Sequence, residues 1–111
     1  MGLINIFGNR PIPKVLDFFR VNSFWDYSLK DVSKETDVSY RTLQEMIPSL
    51  VKSGILIHTR TEGKAKLYKF NLENKLAKQI QNIAIESDLQ YGESMAKSKQ
   101  KAEHKLLPVS H

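Results

Sequence analysis

The residues of this chain best suited to chemistry are Tyr40, Arg41 and Gln44, which follow directly after Ser39. Arginine and glutamine can each make paired hydrogen bonds to base edges, and a tyrosine hydroxyl can donate to a phosphate. Apolar residues recur among them at intervals of three and four, namely Leu43, Met46, Ile47 and Leu50. This period predicts a helix that buries the apolar row and turns the polar side chains outward. These outward side chains therefore favour hydrogen bonding to nucleic acid.

The ends of this helix are marked, which places it at about residues 40–53. Ser39 is a strong N-cap, and Gly54 suits the left-handed position after a basic last turn at Lys52. The predicted outward residues are Tyr40, Arg41, Gln44, Glu45 and Pro48. Glu45 would either orient Arg41 or accept a hydrogen bond from a cytosine amino group. Ser39 and Thr42 are candidate phosphate donors, and an ordinary solvated helix face is the alternative for the whole row.

A shorter helix should precede this one and cross it. Ser28 can cap it, and Leu29 and Val32 supply its apolar stripe. A turn at Thr36 and Asp37 follows, and aspartate tolerates the left-handed conformation better than most residues. Val38 then falls where it can fill the angle between the two helices.

Two β-prone runs, residues 55–60 and 66–70, surround a loop at residues 61–65 that contains Gly63. This pattern predicts a hairpin whose glycine takes a positive φ. Arg60, Lys64 and Lys66 flank its tip, so the hairpin could hold a phosphate backbone or enter a minor groove. A flexible, charged hairpin tip is the alternative.

The pattern VSYRTLQEMIPSLVKSGIL followed by TRTEGKAKLYKF resembles the compact winged-helix regulators of archaea and bacteria, broadly of the MarR and ArsR types. The resemblance covers residues 11–91. It implies an α+β, mainly α fold, a winged helix-turn-helix with a three-helix core, a β-hairpin wing and a C-terminal dimerisation helix. It also implies double-stranded DNA as the partner, with the recognition helix (about 40–53) in the major groove and the wing (about 55–70) on the backbone or minor groove.

The segments around this motif carry further predictions. Residues 3–7 are apolar but too short for a helix on their own, which favours a strand or an arm. Pro11 and Pro13 should open a helix over about residues 12–22, with an inner face of Ile12, Val15, Leu16 and Phe19. Trp25 and Tyr27 would then lie across the core or form a first small strand beside the wing.

A last helix is predicted over about residues 72–91. One stripe contains Leu72, Leu76, Ile80, Ile83, Ala84 and Tyr91, and Ile85 and Leu89 lie on nearly the opposite face. Two apolar faces on one helix suggest a second chain, so we predict a homodimer. The predicted dimerisation residues are Phe18, Val21, Ile80, Ile83, Ile85 and Leu89. In the alternative, these side chains cover one another within a single subunit.

Composition supports a small intracellular binding module. Seventeen Lys and Arg residues exceed twelve Asp and Glu residues, a formal charge of +5 that favours a polyanionic partner. There is no cysteine for a thiolate metal site, and the three histidines are not at ligand spacing. We therefore expect no metal, no cofactor and no catalytic residue, and so not an enzyme. With no apolar run long enough for a membrane helix, the expected location is the cytoplasm.

These features predict one winged-helix domain over residues 1–91 and a flexible basic tail over residues 92–111. The function they favour is sequence-specific DNA binding as a homodimeric transcriptional regulator. One alternative is a winged-helix module that binds protein within the transcription machinery. Another is a plasmid or viral replication or partition factor, which would use the same surface on a different site. The sequence names no effector ligand.

Overall fold

The structure is a computed structural model that describes the backbone of residues 1–104 and the side chains of residues 1–92. Over these residues the fold consists of five helices and a small sheet. The elements in chain order are α1 (Gly2–Phe7), α2 (Pro11–Val21), β1 (Tyr27–Ser28), α3 (Leu29–Thr36), α4 (Tyr40–Lys52), β2 (Leu56–Glu62), β3 (Ala65–Phe70) and α5 (Lys75–His104).

The sheet is antiparallel, with the strand order β1-β3-β2. Tyr27 lies opposite Tyr68, which confirms that the link after α2 forms a small strand beside the wing. Gly63 has a φ of 60° at the hairpin turn, as its position in the loop predicted. The mainly helical α+β, winged-helix-like fold predicted from the sequence is confirmed.

Local signals set the helix-turn-helix segment. The Ser28 side chain accepts from the Asp31 amide while the Asp31 carboxylate accepts from the Ser28 amide, a complete capping box for α3. Asp37 ends that helix with a φ of 60°, the left-handed conformation predicted for it. The Ser39 hydroxyl accepts from the Thr42 amide at 3.1 Å and caps α4. Each of these contacts spans four residues or fewer, so the motif is specified locally.

The core lies where α2, α3, α4 and the sheet meet. Leu43 and Ile47 are buried, and Met46 and Leu50 pack against them, which confirms the predicted inner face of α4. One prediction for the inner face of α2 is wrong, because Ile12 is 55% exposed, whereas Pro13 in the same turn is buried. Phe18, predicted to take part in dimerisation, is half-buried within the subunit, where Tyr27 of β1 covers it with a ring-centroid distance of 4.7 Å.

The prediction of a strand or arm at residues 3–7 is also wrong, because Gly2–Phe7 is a helix. Its first backbone amides donate to the buried carboxylate of Asp17, from Leu3 to Oδ1 at 3.0 Å and from Ile4 to Oδ2 at 3.0 Å. A short helix alone is marginal in water. Here a carboxylate from α2 acts as the missing cap, and α5 supplies the packing surface.

Helix α5 presents small residues to the rest of the chain. Its buried positions are Ala77 and Ala84, and a Cβ on Gly2 would come within 2.4 Å of the Ala84 carbonyl oxygen, so α1 and α5 touch through backbone. Of the first predicted stripe, Ala84 is buried and Ile80 packs against the core, whereas Leu76, Ile83 and Tyr91 are at least half exposed. The helix starts at Lys75 and ends at His104, beyond the predicted end. The predicted basic tail, residues 92–111, otherwise falls outside the described side chains.

Candidate nucleic-acid interface

A basic cleft of about 780 Å³ lies between α4 and the wing, and residues of α3 also line it. Tyr40 and Gln44 line it from α4, and Tyr68 lines it from β3. Four lysines contribute to its walls: Lys30 and Lys34 from α3, and Lys64 and Lys66 from the wing. We call it the α4–wing cleft. Its lining residues include no carboxylate, so the positive charge there is not neutralised locally.

Lys30 and Lys34 are not among the DNA-binding residues predicted from the sequence, although their spacing indicates a shared face. They are four residues apart on α3, so they share one helix face, and that face points away from buried Val32. None of the four cleft lysines forms an ion pair with a carboxylate among residues 1–92. They are available to an outside anion.

The outward residues of α4 divide between its two sides. Arg41 points straight outward, with 90% of its side chain exposed, and its Nε lies 3.7 Å from Glu45 Oε1. This contact matches one of the two roles suggested for Glu45, that of orienting Arg41. Tyr40 is 48% exposed and faces the cleft with Gln44, whereas Thr42 and Glu45 face the opposite side of the helix. Of the predicted outward residues, Tyr40 and Gln44 therefore line the cleft, and Arg41 projects into solvent beside it.

The two hydroxyls at the start of α4 are already engaged with each other. Ser39 Oγ accepts from the Thr42 amide and donates to Thr42 Oγ1 at 2.9 Å. The Ser39 hydroxyl is therefore occupied as a cap, while the Thr42 hydroxyl hydrogen stays available. Of the two predicted phosphate donors, Thr42 retains the capacity to donate.

Arg60 lies on the face of the hairpin that is turned away from the cleft, because of a β-bulge. His58 pairs with Tyr68 but Arg60 pairs with Leu67, so Thr59 is an extra residue in β2. Regular alternation would have placed Arg60 opposite Lys66. Instead, the Arg60 guanidinium binds Asp26, with Nε 3.1 Å from Oδ2, and also Glu62. The structure therefore does not bring Arg60 together with Lys64 and Lys66.

Asp26 keeps its charge in this cluster. The hydrogen bond from Thr59, followed by that from Arg60, lowers the pKa of Asp26 below its ordinary value of 3.8. The same carboxylate raises the pKa of Arg60. A group with a lowered folded pKa contributes stability above its unfolded value and loses it as pH falls through the folded one. At neutral pH the pair is fully charged, so the Arg60 cation is locally compensated.

On the other side of α4 lies an apolar groove of about 760 Å³, bounded by α1, the start of α2, and α5. We call it the α1–α5 groove. Its lining is apolar except at Arg10, Thr42 and Glu45. Two predicted dimerisation residues, Ile80 and Ile83, lie on its wall. Ile85 and Leu89 are exposed on a different side of α5, and Val21 is exposed on α2.

Neither metal-ligand clusters nor membrane-spanning helices occur in the described part of the chain. No three His, Asp or Glu side chains converge there on one point. No helix within those residues combines the length and the apolar character that crossing a bilayer requires.

One solved structure similar to this chain is that of a possible transcriptional regulator from Methanosarcina mazei Go1. The superposition has a TM-score of 0.50 at 18% sequence identity, and it covers 80% of this chain and 74% of that chain. At this identity the likeness shows a shared fold. No family model and no curated protein matches the chain.

Proposed function

We propose that this protein binds double-stranded DNA sequence-specifically, as a homodimeric transcriptional regulator of the MarR or ArsR type. The observation that carries the proposal is the α4–wing cleft, where four lysines with no ion-pair partner among residues 1–92 lie beside an exposed helix bearing Tyr40, Arg41 and Gln44. The shared fold with a possible transcriptional regulator supports it.

The dimensions of α4 suit a major groove. Its 13 residues span roughly 20 Å, and a B-form major groove is wide enough, at about 12 Å, to admit one helix. In helix-turn-helix proteins the N-terminal residues of the second helix contact the base edges. Tyr40, Arg41 and Gln44 occupy that end of α4.

The lysines would hold phosphates on the wing side of the inserted helix. Lys30 and Lys34 of α3 would contact the backbone as the first helix of this motif commonly does, and Lys64 and Lys66 would contact it from the wing. Arg60, a predicted DNA contact, would not contribute, because Asp26 and Glu62 compensate its charge.

Replacing Arg41 by alanine should weaken binding to the protein's specific DNA site, identified by selection of bound fragments, by about 1–3 kcal/mol. The loss on a duplex of random sequence should be smaller. The physical reason is that a bidentate contact to guanine is made only at the right sequence. Fluorescence anisotropy with both duplexes measures the two losses. Equal losses on both would remove the base-reading role of Arg41.

The two faces of the wing allow a matched comparison of two cations. Lys66→Ala should weaken binding on all sequences and reduce the slope of log K against log salt by about one. Arg60→Ala should leave that slope unchanged, because its side chain lies on the other face. Salt titrations of both variants measure this. If Arg60→Ala reduces the slope as much as Lys66→Ala, the assignment of the DNA-facing side is wrong.

One observation favours a second function, that of a protein-binding module of the transcription machinery. Phe24 and Trp25 are adjacent and are 82% and 68% exposed, and Asp26 follows them. Large exposed aromatics are characteristic of protein contacts. Electrophoretic shift at low salt separates the two functions: binding that falls steeply with salt supports DNA, and no shift supports a protein partner.

A replication or partition role would use the same DNA surface. Selection of bound fragments from the genome of origin distinguishes it from transcriptional regulation. Fragments that cluster upstream of genes support a regulator, and fragments from a replication origin or partition site support the other role.

A further inference from the structure

We propose that the turn carrying Phe24 and Trp25, together with the carboxylates beside it, docks an arginine-containing segment of a partner protein. We call this area the Trp25 surface, and it comprises Phe24, Trp25, Asp26, Asp31, Glu35 and Glu62. The inference goes beyond DNA binding, because this surface lies on the Arg60 face of the hairpin, which is turned away from the α4–wing cleft.

Two adjacent aromatic side chains give this surface its apolar part. Phe24 is 82% exposed and Trp25 is 68% exposed, which makes them the most exposed large hydrophobic side chains among the described residues. Tyr27, two residues further on, is instead half-buried against Phe18. Aromatic rings bury large areas at protein interfaces and often carry much of the binding energy there. Phe24 and Trp25 are therefore candidate anchors for a partner.

The turn that carries these rings is held by hydrogen bonds. Asn22 Nδ2 donates to the carbonyl oxygen of Phe18 at 2.8 Å, and the Trp25 amide donates to the carbonyl oxygen of Asn22 at 3.2 Å. Thr59 Oγ1 donates to Asp26 Oδ2 at 2.6 Å, which ties the end of the turn to β2. A surface that is already ordered loses little conformational entropy on association, which favours binding.

The charges around Trp25 are mostly negative. Four carboxylates and two cations line the depression that contains Trp25, namely Asp26, Asp31, Glu35, Glu62, Lys34 and Arg60. Arg60 is already bound to Asp26 and Glu62. Asp31 and Glu35 have no cation within ion-pair distance among residues 1–92. They lie four residues apart on one face of α3, where like charges repel, so a cationic partner would relieve that repulsion.

An arginine-containing segment matches both the rings and the charges. A guanidinium group can stack on an indole ring and can form paired hydrogen bonds with a carboxylate. The same excess of negative charge repels the phosphates of nucleic acid and of anionic lipids. Phe24 lies outside the depression, so a small cation enclosed there would leave its ring uncovered. A peptide segment is long enough to cover both.

Helix α3 separates the Trp25 surface from the α4–wing cleft. Lys34 lines both depressions, whereas Lys30 lines only the cleft and Asp31 and Glu35 line only the Trp25 side. Opposite charges are thus distributed to two sides of one short helix. A segment docked at Trp25 would leave the lysines of the cleft accessible, so DNA and the partner protein would bind at the same time.

Trp25 is the single tryptophan of the chain, so its fluorescence reports directly on this surface. The probe is a synthetic peptide of alternating arginine and leucine, titrated into the full chain, with a peptide of alternating glutamate and leucine as the control. The arginine peptide should shift the Trp25 emission to shorter wavelength until it saturates, because the indole leaves water. Binding should weaken as salt increases. No shift, or an equal shift with the glutamate peptide, would overturn the inference.

Two variants that keep Trp25 as the reporter locate the contact. Phe24→Ala should weaken binding of the arginine peptide about tenfold, and the double variant D31N/E35Q should weaken it about fivefold. The matched control E73Q/E86Q removes two exposed carboxylates that do not line the depression, and it should bind like wild type. Circular dichroism confirms that all three are folded. Wild-type affinity in Phe24→Ala, or equal losses in the two double variants, would contradict the assigned contacts.

Duplex DNA and lipid vesicles distinguish this inference from the other roles of the protein. Phe24→Ala should bind duplex DNA like wild type. Vesicles of phosphatidylglycerol should leave the Trp25 emission unchanged, and a shift with them would assign the surface to a membrane instead. A protein that binds the arginine peptide but no duplex would sink the proposed function alone. One that binds the duplex but not the peptide would sink this inference alone.

Discussion

Replacing Asp17 by alanine is expected to lower the free energy of unfolding by about 3–5 kcal/mol, the range seen when one partner of a buried ion pair is removed. Asp17 is fully buried and Arg20 is 5% exposed, with 2.8 Å between Arg20 Nε and Asp17 Oδ1. Without the carboxylate, a guanidinium stays buried with only Gln81 and the more distant Asp88 as partners. The amides of Leu3 and Ile4 lose their acceptor at the same time.

Urea unfolding followed by circular dichroism measures this loss. Asp88→Ala is the matched control, because Asp88 contacts the same arginine at 3.5 Å but is 45% exposed, and an exposed ion pair is worth about 1 kcal/mol or less. Similar losses for the two variants would show that burial does not determine the strength of this network. Because Asp17 also caps α1, its loss should loosen one wall of the α1–α5 groove.

Removing all four lysines of the α4–wing cleft should have the largest effect on DNA binding. With Lys30, Lys34, Lys64 and Lys66 changed to glutamine, the salt slope should fall by about four, and affinity at 0.1 M salt should fall on the order of a thousandfold. Each phosphate contact releases about one condensed counterion, so four lost contacts weaken binding strongly at low salt and less at high salt. Anisotropy titrations at several salt concentrations supply both quantities.

The control for this variant removes the same charge elsewhere. It changes four lysines that do not line the cleft: Lys14, Lys69, Lys75 and Lys78. Both variants take four charges from the formal +5 of the chain, so long-range attraction to DNA is reduced similarly. Equal losses in affinity would mean that net charge governs binding, and the cleft would then lose its assigned role.

The two sides of α4 line two different surfaces of the protein. One side of α4, with Tyr40 and Gln44, lines the cleft that would hold DNA, and the other side, with Thr42 and Met46, lines the α1–α5 groove. Glu45 connects the two surfaces, because it contacts Arg41 and also lines the α1–α5 groove.

Several parts of the fold could be predicted from the sequence because their causes are local. Ser28, Asp37 and Ser39 act on backbone groups within one turn, so their residue types alone indicate where helices begin and end. The period of Leu43 and Ile47 likewise sets the inner face of α4 without knowledge of what covers it. The exposed set of Tyr40, Arg41 and Gln44 follows directly from that period.

The errors arose where a residue's surroundings came from a distant part of the chain. A helix at residues 2–7 depends on Asp17 and on α5, neither of which local propensity can detect. The inner face of α5 has an alanine at position 84, because Gly2 of α1 approaches closely enough there to exclude a larger side chain. Lys30 and Lys34 join the wing lysines only because α3 packs beside β3.

From its amino-acid order alone, this protein acquires its helix ends, its turns and the polar row on α4, since each depends on contacts within a few residues. Tertiary packing decided which cations share a surface. One extra residue at Thr59 turns Arg60 toward Asp26 and leaves Lys64 and Lys66 with the cleft. Side-chain direction in a hairpin depends on pairing register, and register is set between strands rather than within one.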